Sequence, residues 1–174
     1  MACRRDGRTI FTVFEIEREI QMNTKNHATG GVPRISRILV AIDYSPHASN
    51  ALKWARSLGS ALGAKLILLH VIDSVAAVGL ETGGVTADFA PLYVLREQAE
   101  KRMGELKALI PDAETVVREA SPRPAIVDAA LELKCQMIVM GTHGHSGLEH
   151  LLLGSVADYV VRNSKVPVLT IHAD

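Results

Sequence analysis

Three glycines and a serine carry the chemistry to be explained. The apolar run Met137-Ile138-Val139-Met140 breaks at Gly141; Gly144 follows after two residues, and Gly154-Ser155 after nine more. The next residues, Val156-Ala157-Asp158-Tyr159-Val160-Val161, space their apolar members as a helix does. Strand, glycine-rich turn and helix start form a cradle for a phosphate. Glycine lets the backbone approach an anion closely, and the N–H groups at a helix start point at it with the positive end of the dipole behind them. No Walker-type lysine follows the glycines, and no residue stands out to position an attacking water. The predicted act is holding a phosphate rather than cleaving one, and no catalytic residue is assigned.

Other reactive side chains are weighed against this turn. Asp43 ends the apolar run Ile38-Leu39-Val40-Ala41-Ile42, where a carboxylate either meets the polar edge of a ligand or caps the next helix together with Ser45. His143, His145 and His150, with Glu149, invite a metal reading, because imidazoles in a short loop can converge on zinc or nickel. The expectation is no metal, with His143 beside the phosphate ligand and His145 and His150 solvated. Cys135 precedes a buried strand without a flanking base and reads as a packed thiol, and Cys3 and Cys135, far apart and without ligand spacing, argue neither for a disulfide framework nor for a zinc site.

The elements that must position these residues follow from periodicity. Ser45-Pro46 is an N-cap followed by proline at the first helical position, and Ala48, Ala51, Leu52, Ala55, Leu58, Ala61 and Leu62 recur at helical spacing up to Gly63. Leu66 to Ile72 is a second strand. Residues 73–90 hold three glycines and no period, as in a long loop. A helix from about Pro91 to Leu109 places Leu92, Leu95, Ala99, Met103, Leu106 and Leu109 on one stripe. A short peripheral strand at 115–117, a helix opened by Ser121-Pro122, the strand before Gly141, a helix to about Asn163 and a strand at 166–171 complete the pattern.

Alternating strands and helices imply one open five-stranded parallel sheet with right-handed crossovers and helices on both faces; the strand order expected of it is 3-2-1-4-5. Pro167 favours an edge position for the last strand. In that order the first and fourth strands are neighbours, so Asp43 and the glycine turn flank the switch point, where such sheets bind ligands.

A chain of 174 residues, 48% apolar but only 4% aromatic, suits a core of aliphatic side chains between parallel strands and helices. Nineteen basic residues balance nineteen acidic ones, which gives no net drive toward nucleic acid or an anionic membrane, and neither is expected as a partner. No apolar run reaches the about 18 residues of a membrane span, and a cytoplasmic location is expected. Residues 1–34 differ in pattern and read as an N-terminal extension, disordered or preceding an alternative start at Met22; residues 35–174 form the domain.

The segment IVMGTHGHSGLEHLLLGSVADYVVRNSKVPVLTI, with its Gly-2x-Gly-9x-Gly-Ser spacing, resembles the C-terminal half of the universal stress protein family in its ATP-binding subclass. LVAIDYSPHASNALKWA and LILLHVID are similar to that family's first two strands, so the resemblance covers about Ile35 to Ile171. It implies a Rossmann-like fold of the adenine nucleotide alpha hydrolase type. It also implies that Ala41, Ile42 and Asp43 contact adenine and ribose and that Val71 lines the base pocket. Met140, Gly141, Thr142, His143 and Gly144 would follow the ribose and α-phosphate, and Gly154, Ser155 and Val156 the β- and γ-phosphates. Implied too are ATP, with AMP or ADP as alternatives, Mg²⁺ carried by the phosphates, and a homodimer through the last strand. The implied role is nucleotide-dependent regulation in a stress response, the alternative a slow ATPase or autophosphorylating phosphotransferase using Ser155 or Thr142. Ala120 and Gln136 stand where the family commonly has glycine and aspartate.

Overall fold

The computed structural model describes residues 34–74, 92–143 and 153–173, with the backbone alone at 3–5 and 8–10. Most of the predicted loop at 73–90, the linker before Arg34, and Gly144, His145, Gly147, Glu149 and His150 lie outside the described residues. The chain divides into two units, Met1–Arg34 and Ile35–Asp174. In the first, β1 (Cys3–Arg5) and β2 (Arg8–Ile10) pair antiparallel.

In the second unit, β3 (Arg37–Ala41), α1 (Pro46–Leu62), β4 (Lys65–Asp73), α2 (Leu92–Leu109), β5 (Glu114–Ala120), α3 (Pro122–Glu132), β6 (Met137–Gly141), α4 (Ser155–Asn163) and β7 (Val168–Ile171) follow in order. The sheet runs β5-β4-β3-β6-β7 with every pair parallel, which is the predicted 3-2-1-4-5 order. Alternation along the central strands splits the core in two. Leu39, Ile67, Leu69, Ile138 and Met140 face Ile126 and Ala129 of α3 and Ala157 and Val160 of α4. Ile38, Val40, Leu66, Leu68 and Val139 face Ala51 and Ala55 of α1 and Met103 of α2. A sheet buried on both faces needs apolar residues at nearly every position, which explains the continuous aliphatic runs.

Local signals match their elements with informative exceptions. Ser45 caps α1, its hydroxyl accepting from the Ala48 N–H, and Gly63 ends that helix. On α2 only Ala99 and Met103 are buried, and Leu109 is 73% exposed, so the predicted stripe stops short of the helix end. The peripheral strand is longer than its apolar segment, extending from Glu114 because β4 offers seven residues of register to it. Strand β7 begins after Pro167, which has no N–H to give but whose carbonyl accepts from Ile138.

The two ends of the sheet have different duties. At the N-terminal ends, Glu114 bridges Arg37 and Lys65, and the Gln136 amide oxygen accepts from the Ser36 N–H and hydroxyl and the Arg37 N–H, each at 3.0 Å. Gln136, at a position where the resembled family often has aspartate, thus clamps the starts of β3 and β6. The C-terminal ends are left for a site.

Cys135 lies in the core, 4% exposed, with its Sγ 3.9 Å from Leu133 O and the Arg37 side chain nearby. Burial pushes its thiol pKa above the ordinary value, so little thiolate is present near neutrality. Iodoacetamide at pH 7.5 is expected to leave Cys135 unmodified in the folded protein and to label it in denaturant. Rapid native labelling in a peptide mass map would contradict this packing.

Candidate functional site

Where β3 and β6 lie side by side, their following connections diverge to opposite faces of the sheet, and a cavity of about 410 Å³ opens beyond the strand ends. Every predicted site residue except Gly144 lines it: Ala41, Ile42, Asp43, Val71, Met140, Gly141, Thr142, His143, Gly154, Ser155 and Val156. Gly144 is outside the described residues. Leu69, Ala48 and Ala157 add apolar floor, and Pro122 and Ile126 of α3 add a wall.

The β3 end is a stiff turn. Asp43 Oδ1 accepts from the Ser45 N–H at 2.9 Å, so the carboxylate supports the start of α1 as well as lining the cavity. Between them Tyr44 adopts φ 65°, a conformation uncommon for a non-glycine residue. Tertiary contacts hold it there: its ring lies 4.7 Å from that of His70 and 5.1 Å from the Arg102 guanidinium, and its hydroxyl donates to Ala99 O. His70 Nδ1 in turn meets Ile42 O at 2.7 Å, tying the ends of β3 and β4 together.

The opposite wall is the start of α4. Gly154 is its N-cap and offers no side-chain acceptor, so the N–H groups of Ser155, Val156 and Ala157 have no partner within their own helix. The Gly154 N–H donates to Thr142 O at 2.8 Å, and the Thr142 N–H to Ile171 O at 2.9 Å, which fixes this start against the ends of β6 and β7. A Cβ on Gly154 would stand 3.1 Å from Thr142 O and 3.5 Å from His143 Cα. In contrast to α1, whose first turn is closed by Ser45, α4 has an open start suited to an anion, while α3 begins with Pro122 and Pro124, which have no N–H to offer.

Two features were not predicted. Asp73, at the end of β4, brings a second carboxylate residue to the cavity; the parallel between Ile42-Asp43 and Ile72-Asp73 was the available signal. His143 lies beside His47 and His172, whose rings are 5.4 and 5.9 Å from its own; His145 and His150 are outside the described residues.

These features define a class: a doubly wound α/β domain with a ligand crevice at its switch point, bounded by a strand-end carboxylate and an uncapped helix start. Residues 34–172 match the universal stress protein family, and the chain belongs to it. A universal stress protein of Thermus aquaticus is 34% identical over 137 residues, covering 78% of this chain and 97% of the relative. The solved structure of protein MJ0577 of Methanocaldococcus jannaschii superposes with a TM-score of 0.68 at 28% identity, covering 81% of this chain and 98% of that one. A universal stress protein solved in complex with cAMP superposes at 0.52, also 28% identical, covering 81% and 99%.

Proposed function

We propose that the crevice binds an adenine nucleotide, ATP before ADP or AMP, with Mg²⁺ brought by the phosphates, and that the protein is a cytoplasmic nucleotide-dependent regulator of a stress response. The observation that carries this reading is the open start of α4 lining the same cavity as Asp43. Phosphates would meet the N–H groups of Ser155 to Ala157, the ribose and adenine would lie toward Asp43, Asp73 and Val71, and the base would rest on Leu69 and Ile126. The cavity volume falls in the range of small-molecule sites. The relative solved with cAMP supports an adenine nucleotide as the ligand class. Acid extraction of freshly purified protein, followed by adenine absorbance and mass measurement, tests it. Extracted adenine nucleotide, or calorimetric binding of added ATP, is the expected result; failure of ATP, ADP and AMP to bind overturns the proposal.

A slow phosphotransfer is the second reading, favoured by the exposure of Ser155 at the helix start. Between the two hydroxyls first considered, Thr142 is 8% exposed and its Oγ1 already contacts three imidazoles, which leaves Ser155 as the better acceptor. Ser155→Ala separates cradle from acceptor. As a cradle residue, its loss weakens ATP binding about tenfold, the cost of a hydrogen bond to a charged group. Unchanged binding with abolished phosphate incorporation would instead identify an acceptor.

Strand β7 pairs with β6 on one side only, and an apolar edge needs cover. A homodimer through this edge is the proposed cover. Light scattering at micromolar concentration is expected to give twice the 18.8 kDa of one chain, and a monomer counts against it. None of the described helices is long and apolar enough to cross a membrane.

A further inference from the structure

Behind the crevice, three strand ends bring together three histidines that lie far apart in sequence. His47 opens α1, His143 follows β6 and His172 follows β7, and one nitrogen from each lies within 4.8 Å of the others. The three rings share one focus, because Thr142 Oγ1 meets Nδ1 of His172 at 3.0 Å, of His143 at 3.2 Å and of His47 at 3.4 Å. We propose that His47, His143 and His172 form a binding site for a divalent transition metal, zinc being the ion best matched, bound through their Nδ1 atoms.

The donor chemistry narrows the ion. Three imidazoles without a thiolate suit Zn²⁺, Cu²⁺, Ni²⁺ or Co²⁺ and do not suit Mg²⁺ or Ca²⁺, which prefer oxygen. In a tetrahedral site with Zn–N of 2.0–2.1 Å, ligand atoms stand about 3.3 Å apart. The three Thr142 distances already have that edge length, so its hydroxyl or a water fits the fourth vertex. The nitrogens need only to draw together. His47 is half-buried and His172 exposed, so both rings have room to turn, while buried His143 supplies the fixed point.

His47 is also in the form a metal requires. The Ala173 N–H donates to His47 Nδ1 at 2.9 Å, which assigns that nitrogen a lone pair and gives way to an ion at little cost because Ala173 lies beyond the last strand. Burial, then the neighbouring His172 and His143, hold the His47 pKa below its usual value, so the ring is neutral near pH 7. The Asp43 charge acts in the opposite sense on His47 and favours a cation nearby.

His143 and Thr142 also line the nucleotide crevice, whereas His47 and His172 do not, so the metal is tested alone and through these two histidines, and its failure is distinguishable from failure of the nucleotide reading. Untagged full-length protein is titrated with Zn²⁺ by calorimetry and with Co²⁺ by visible spectroscopy. One ion per chain and the intense d–d bands of tetrahedral Co²⁺ are expected. His47→Ala and His172→Ala should each weaken Zn²⁺ by at least the about 10–100-fold that loss of an outer-shell partner costs. Circular dichroism melting confirms that these variants fold, and His172→Ala should leave ATP affinity unchanged. His145→Ala combined with His150→Ala should leave the metal in place. Absence of binding, binding that survives both single substitutions, or binding lost with His145 and His150 overturns the assignment.

Discussion

Gly141→Ala is expected to destabilise the domain by about 1–3 kcal/mol, the usual cost of overpacking, and to lower the melting temperature by about 2–4 °C for each kcal/mol. The added Cβ would stand 2.7 Å from His47 Cβ, 2.9 Å from His47 C and 3.0 Å from Ala48 N. Two of these three atoms are backbone, so no rotamer change relieves the clash and the first turn of α1 must move off the sheet. That turn has no slack, because Ala48 is 2% exposed and Ala51 and Ala55 are fully buried. Gly→Ala elsewhere can stabilise by about 0.4–1 kcal/mol through the unfolded chain, but here the close approach outweighs it. Thermal and urea unfolding measure the outcome. Adding His47→Ala should not rescue the variant, and an unchanged melting temperature for Gly141→Ala would show that α1 does not sit as close to β6 as described.

Packing against α1 gives Gly141, which also lines the cavity, a further reason to lack a side chain. Its position after an apolar strand suggested close approach to a phosphate; the structure adds close approach to the backbone of α1. Both demand the absence of a side chain, and a pattern of residue types cannot say which neighbour makes the demand. The same limit explains Gln136, whose amide does the clamping work in a position where a carboxylate was the familiar choice. Leu109 had helical spacing to the buried stripe, yet the helix outruns the sheet it covers.

Where local chemistry decides, the sequence was sufficient. Ser45-Pro46 and Gly63 bounded α1 because capping and termination depend on a few adjacent residues, and the β/α alternation gave the parallel sheet because crossover connections have one hand, with the expected strand order matching the one observed. Asp43 and the glycine turn could be placed together from that order alone. The histidine cluster could not, since residues 47, 143 and 172 share no local spacing and meet only because β3, β6 and β7 end side by side. Loop proximity made His145 and His150 visible beside His143 in the sequence; only the sheet topology brings in His47 and His172.

Gly154→Val is expected to separate binding from folding in a way that Gly141→Ala does not. Gly154 has φ −67° and ψ 158°, extended values open to any L-residue, so valine introduces no backbone strain. Its first side-chain atom would lie 3.1 Å from Thr142 O and 3.5 Å from His143 Cα, displacing the segment to which the Gly154 N–H is bonded. The α4 start then turns relative to the crevice, and the N–H groups of Ser155 to Ala157 no longer converge on one point. Hydrogen bonds to charged groups contribute about 1.5–3 kcal/mol each, so losing one or two of them should weaken ATP binding roughly a hundredfold. The melting temperature of the free protein should fall less than for Gly141→Ala, because the strained contact is at the rim and not beneath a buried helix. Calorimetry with ATP and a parallel thermal melt give the two numbers. Undiminished affinity in a folded Gly154→Val protein would remove the α4 start from the site and with it the nucleotide reading, whereas lost affinity at nearly unchanged stability is what an anion cradle built from a helix start requires.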